Sequence, residues 1–283
     1  MPMRIYVPAF GIGTTLVLLV VHQLVQRVLA PSMTLRREVE QGSFSRALLQ
    51  VGHVFGVFLV SASTVANCVE GQSFARDVAW AAAFGGMALV LLSVTGHLGV
   101  KLLLKHELPA EIARGNVAAG LAAGAHYVAT GIITSRAIAG NDVESLGLSL
   151  AFFCLAQLTL HAFIIAFRAL TTYDDAEEIR GENVAASLSY SGLSIAVALI
   201  IGRAVEGNFA GWWSSLRSYG AALQYNVALY LVRQIVVQTI LLGAGFSLRG
   251  GALDDGVGKG RSLSMGVLEA STYVAAALAA TRL

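Results

Sequence analysis

Arginine and glutamate rarely stand in the middle of a long apolar run, and this chain has one of each in such a place, Arg233 and Glu269. A charged side chain at the centre of a membrane-spanning helix costs roughly 2.5–3.5 kcal/mol on insertion scales, which makes both residues functional candidates. At about 1.5 Å of rise per residue, Glu269 falls about 11 Å inside the start of its run and Arg233 roughly 15–20 Å from the same side. Those depths let the two pair across adjacent helices. Pairing is the expected state, since stripping one buried charge of its partner costs about 3–5 kcal/mol.

Histidines extend the polar layer. His53 and His126 lie ten residues inside their runs, and His22, His97 and His161 lie eight or nine residues before the ends of theirs, on the same side. Further polar groups stand in the same spans, among them Gln157, Gln224, Asn226, Gln234 and Gln238. Near-neutral titration of imidazole suits such a layer to a proton or ion pathway with Arg233 and Glu269 as a switchable pair. The same histidines can equally be structural, each an interhelical hydrogen bond worth about 1 kcal/mol. A third reading is a haem held by two histidines, a metal site or an intramembrane enzyme. No CxxCH, HExxH or GxSxG motif supports it, so no cofactor is expected.

The elements that must position these residues follow from composition. Of 283 residues, 56% are apolar and 13% charged, with a mean hydropathy of +0.69, which excludes a soluble domain. Thirty glycines against four prolines fit close helix packing in lipid. A net charge of +2, scattered along the chain, excludes a nucleic-acid-binding surface, and the two cysteines, Cys68 and Cys154, suggest packing rather than a disulfide or a metal. Eight apolar runs are long enough to span a membrane: 6–30, 44–67, 78–104, 117–139, 146–170, 184–206, 212–246 and 262–281. The reading is an all-α, polytopic membrane protein, and its first span is a retained helix rather than a cleaved signal. Twelve Lys and Arg flank loops 31–43, 105–116, 171–183 and 247–261, six flank the opposite loops and termini, and Arg233 stands apart. By the positive-inside rule the four longer loops face the cytoplasm and both termini the periplasm.

Those four loops repeat a motif. Glu38 is followed by Gly42 and then His53, and Glu111 at the same intervals by Gly115 and His126. A third copy from Glu178 aligns without gaps to the second and places Asn183 on Asn116, while the fourth is weaker, with Asp254, Gly258 and Glu269. Four quasi-repeated helix pairs result. Ser43, Asn116 and Asn183 have the chemistry of N-caps, the acid favours the positive helix end, and the glycine permits a sharp approach. Gly52/Gly56, Gly120/Gly124, Ser187/Ser191 and Gly266/Ala270 are small pairs that should pack closely against neighbours. The alignment also sets His53, His126, Leu193 and Glu269 at one depth.

The E-I-x-x-G-N-x-A-A pattern of Glu111, Ile112, Gly115, Asn116, Ala118 and Ala119, returning from Glu178 with one displaced glycine, resembles the YjfL-like bacterial membrane proteins, domain of unknown function family 350. The resemblance implies two four-span domains in tandem, 1–142 and 143–283, a bacterial inner-membrane location and no known activity. Association with envelope-stress or polyamine-related operons is likewise implied only by that resemblance.

Other motifs are weak. GGALDDGVGKGRS lacks the Lys and Ser/Thr of a phosphate-binding loop and no strand precedes it. The acidic run at Asp174, Asp175, Glu177, Glu178 and Glu182 reads as a solvated loop face and lacks calcium-loop spacing. The expected function is translocation of an ion or small solute through the His/Arg/Glu layer. The rival is a non-catalytic scaffold recruiting protein partners through its cytoplasmic loops. The lipid bilayer is the one partner the composition demands, a nucleic acid is not expected, and a homo-oligomer is left open.

Overall fold

The computed structural model describes residues 3–29, 40, 42–104, 108–207 and 209–282, and Glu38 lies outside them. The chain forms α1 (Met3–Leu29), α2 (Phe44–Cys68), α3 (Phe74–Leu104), α4 (Leu108–Ala113), α5 (Val117–Ala137), α6 (Val143–Leu170), α7 (Asp175–Arg180), α8 (Val184–Val205), α9 (Trp212–Ala222), α10 (Gln224–Val232), a π-helical segment (Arg233–Leu241), α11 (Ala252–Val257) and α12 (Leu263–Ala280). Among the described residues there is no strand.

Seven of these helices are long and apolar enough to cross a membrane. The run 212–246 is not one straight helix, as its hydropathy predicts, but α9, α10 and the π segment end to end. Its polar content explains the break. Side chains such as Thr239, whose hydroxyl donates to the Gln234 carbonyl at 3.2 Å, compete with the regular backbone ladder.

α2, α5, α8 and α12 stand side by side in chain order as one row of parallel helices. The other long elements lie over the grooves of that row: α1 and α3 against α2, α3 and α6 against α5, α6, α9 and α10 against α8, and α10 with the π segment against α12. α5 and α8, in the middle, are the most buried spans. The short helices α4, α7 and α11 precede α5, α8 and α12 on one side of the molecule, the cap side.

Each row helix starts the same way. The residue before the N-cap is left-handed in all four repeats: Gly42 (φ 79°), Gly115 (93°), Glu182 (64°) and Arg261 (49°). The caps are Ser43, Asn116, Asn183 and Ser262, and the last three accept a backbone N–H three residues on. This corrects the fourth repeat. Gly258, with φ −74°, is not the left-handed residue, and Arg261 takes that place. The reason is length: α4 and α7 begin eight residues before their caps, α11 ten before Ser262. Counted from the caps, His53, His126 and Leu193 are tenth but Glu269 is seventh, hence about 4.5 Å nearer the cap side.

The small pairs set how closely the row packs. A methyl group on Gly52 would lie 2.5 Å from Gly124 Cα, on Gly131 2.7 Å from Gly56 Cα, on Gly192 2.6 Å from Ala270 Cβ, and on Gly266 2.6 Å from the Ala185 carbonyl oxygen. Backbones therefore touch along the first and third interfaces, α2–α5 and α8–α12, while between α5 and α8 the Ser187 hydroxyl reaches the Ala118 carbonyl.

Candidate functional site

The cap side is tied together by the repeated loop residues. Asn116 and Asn183 each use the side-chain oxygen as a cap, and each amide donates to the acid five residues earlier, Glu111 and Glu178, at 2.9 Å. The same amides reach into the next repeat, Asn116 to the Ile179 carbonyl at 2.9 Å and Asn183 to that of Val257 at 2.8 Å. In the first repeat, the Ser45 hydroxyl donates to the matching carbonyl, that of Ile112, at 2.9 Å. Arg114 binds Glu111 and, across the repeat, Glu182, while Arg261 donates to the Gly181 carbonyl. Glu111, Asn116, Glu178 and Asn183 thus position helices and one another, with Gly42 and Gly115 supplying the left-handed turns.

Asp254 departs from that role. Its carboxylate turns inward, accepting the Thr172 N–H at 2.9 Å on one oxygen and the Arg233 guanidinium on the other. Arg233 Nε donates to Glu269 Oε1 at 2.5 Å, and the Tyr230 ring lies 5.7 Å from the guanidinium carbon. Arg233 is fully buried, and Asp254 and Glu269 are 1% exposed. The pair inferred from the sequence is therefore a triad of one cation and two carboxylates, with net charge −1. Glu269 Oε2 and Arg233 Nη1 have no hydrogen-bond partner among the described residues.

The triad sits where the helix of the seventh span widens from α to π geometry, since the π segment begins at Arg233. Widened turns of this kind recur at functional sites. Asn226, Gln234 and Gln238 on the same element are also fully buried, and Asn226 has neither side-chain atom hydrogen-bonded. Asn226 and Gln238 stand twelve residues apart along this polar column.

The histidines form two clusters apart from the triad. His22 and His53 stack edge to face at 4.9 Å between ring centres, His53 does so on Tyr127 at 4.0 Å, and His22 Nδ1 is 3.2 Å from Ser93 Oγ. His126 and His161 meet at 5.6 Å, in a space kept open by Gly99, where a methyl group would be 2.8 Å from His161 Nε2. His126 Nδ1 lies 3.4 Å from the Tyr190 hydroxyl, and His97 is half-buried on α3. Among the described residues no three His, Cys, Asp or Glu side chains have the geometry of a metal site.

Sequence reasoning missed Asp254 as the third member of the triad, and it misjudged Asp175. That residue is not on a solvated face but 4% exposed, with Arg168 Nε 3.1 Å from its carboxylate. Burial pushes its carboxyl up to about 7; Arg168 opposes that rise, while Glu269 and Asp174 add to it. The clue was Arg168, placed within reach of the acidic run.

Membrane-length helices in repeated pairs, enclosing buried charge, define a polytopic helical membrane protein. The chain belongs to a family of such proteins described only as Domain of Unknown Function (DUF350), which matches it twice, over residues 6–139 and 141–282. It is also 28% identical over 163 residues to a UPF0719 transmembrane protein of Aquifex aeolicus (strain VF5), a stretch that is 55% of this chain and 58% of that relative. No solved structure matches it.

Proposed function

We propose that the protein moves an ion or a small polar solute across a bacterial inner membrane along the π-widened seventh span, with Glu269 and Arg233 as its charged station. One observation carries this reading. Asn226, Gln234, Gln238 and Glu269, at most 1% exposed, keep donors or acceptors open. In a membrane interior each open polar group costs several kcal/mol, and such groups are retained where something polar passes or binds. Asp175 and Arg168, paired at 3.1 Å on neighbouring helices, lie close enough to the station for the charges of Glu269 and Arg233 to act on Asp175. The basic asymmetry of the loops supports a cytoplasmic cap side and periplasmic termini, which cysteine labelling at residue 175 and at the C-terminus tests directly.

The functional test is ion or proton flux in proteoliposomes. Glu269→Gln and Asn226→Leu should each reduce flux at least tenfold while the purified protein keeps its thermal stability. Unchanged flux in both variants, or no flux from the wild type over a panel of protons, alkali cations and polyamines, sinks the proposal and leaves the scaffold reading.

A further inference from the structure

His126 on α5 and His161 on α6 turn the same ring nitrogen toward one spot. A methyl group on Gly99 of α3 would lie 2.8 Å from His161 Nε2 and closer still to His126 Nε2, so a side chain at residue 99 would fill the place where the two nitrogens converge. Glycine leaves that place open. His126 is fully buried, its ring centre is 5.6 Å from that of His161, and its Nε2 has no hydrogen-bond partner among the described residues.

The other ring nitrogens settle the protonation. His161 Nδ1 lies 2.6 Å from the Gln157 carbonyl oxygen, which can only accept, so Nδ1 carries the proton and Nε2 of the neutral ring is a bare lone pair. For His126 a proton on Nε2 would be a buried donor without an acceptor, whereas a proton on Nδ1 faces the Tyr190 hydroxyl at 3.4 Å. Two lone pairs thus converge on one space with no N–H between them. Such a space attracts a cation, and imidazoles that ligate metals hold their other N–H on a backbone carbonyl or a similar acceptor in this way. His22 and His53 do not repeat the arrangement, since neither nitrogen of His53 is held by a partner.

The number of ligands selects the ion. No three His, Cys, Asp or Glu side chains converge among the described residues, so zinc, which takes four ligands in a tetrahedron, and Cu(II), which takes a tetragonal set, find half of what they need. Cu(I) is satisfied by two imidazoles, and its single charge is less costly to bury than that of a divalent ion. Two nitrogens holding one ion at about 2 Å each stand up to about 4 Å apart, beyond hydrogen-bond reach of each other. The two Nε2 atoms here make no hydrogen bond with each other and stand less than twice 2.8 Å apart.

We propose that His126 and His161 bind one Cu(I) ion between their Nε2 atoms, with Gly99 leaving room for it and the Gln157 carbonyl and Tyr190 hydroxyl fixing the two rings. The site is separate from the triad, and the proposal does not rest on the translocation reading.

Anaerobic titration of the purified full chain with Cu(I) against a colorimetric Cu(I) chelator tests it, in a Cys154→Ser background that removes the exposed thiol. One equivalent should be retained, His161→Gln and Gly99→Ala should each weaken retention at least tenfold, and His53→Gln should leave it unchanged. Melting of each metal-free variant reports folding separately. X-ray absorption of the one-equivalent complex should show two nitrogen neighbours and no sulfur, and it decides alone if His161→Gln and Gly99→Ala fail to fold. No retention by the folded chain, full retention in folded His161→Gln, loss in folded His53→Gln, or a sulfur or four-ligand spectrum overturns the proposal, as does Zn(II) held as tightly as Cu(I).

Discussion

The Ser187 hydroxyl donates to the Ala118 carbonyl at 2.6 Å, at the place where Gly120 and Gly266 lie against Ser45 and Ala185 in the flanking interfaces. One position, fourth after the cap, thus does the same job with a hydrogen bond in the middle of the row and with a bare backbone on either side.

That difference predicts an asymmetric response. Gly120→Ser should not imitate Ser187, because its Cβ would stand 2.7 Å from the Ser45 carbonyl carbon, and overpacking of this kind costs about 1–3 kcal/mol. Ser187→Ala removes one hydrogen bond and should cost about 1 kcal/mol. Thermal unfolding in detergent ranks the two; a Gly120→Ser protein as stable as the wild type would mean that the interface is looser than described.

The triad changes what deletion of Glu269 should do. Because Arg233 keeps Asp254, Glu269→Gln leaves a neutral pair in place of a site with net charge −1, and its stability should stay within about 1 kcal/mol of the wild type. Arg233→Met strands two buried carboxylates and should cost at least about 3–5 kcal/mol. Adding Glu269→Gln to Arg233→Met should recover part of that loss, which a double-mutant cycle measures.

Asp175 sets a pH dependence. Its folded-state pKa, pushed up to about 7 by burial, lies above the roughly 3.9 of an unfolded aspartate, so the folded chain holds the proton more tightly. The stability this group contributes is complete below about pH 4 and is lost as pH rises through 7. Melting temperature should therefore fall between about pH 4 and 7, and Asp175→Asn should flatten that slope. An equally steep slope in the variant would assign the effect to another group.

Left-handed backbone at non-glycine residues costs about 1–2 kcal/mol, so Glu182 and Arg261 are strained where Gly42 and Gly115 are not. Glu182→Gly should be neutral or stabilising by up to about 1 kcal/mol, the loss of the exposed Arg114 pair being small. Gly115→Glu should destabilise. Parallel denaturation of the two variants decides, and a destabilised Glu182→Gly would show that the ion pair outweighs the strain.

The repeat was legible because Asn116 and Asn183 combine a cap, an acid five residues back and a small-residue helix in one pattern, and all three are local in sequence. The fourth copy was not, since two extra residues separate α11 from Ser262 and an arginine replaces the glycine. Arg261 tolerates its backbone because its guanidinium holds the Gly181 carbonyl 80 residues away, a contact no local pattern announces. The same holds for the site. Arg233 and Glu269 stood out as charges in apolar runs, whereas Asp254 sits in a polar loop beside Asp255, where only the fold reveals which of the two turns inward. Hydropathy registered the seventh span as a whole and was blind to its change from α to π geometry at Arg233.

The row also has a history in time. Ribosome and membrane-insertion machinery release α2 first and α12 last, and each row helix is docked against its predecessor by contacts that exist only once the later one has arrived. The Asn116 amide meets Ile179, and that of Asn183 meets Val257, so each repeat waits with a polar hand extended for the next. Arg233 enters the bilayer ahead of both its carboxylates, Asp254 following 21 residues and Glu269 36 residues later in the chain. The guanidinium thus has both its carboxylates only once α12 has packed and delivered Glu269, so the charged site is the last part of the row to be completed.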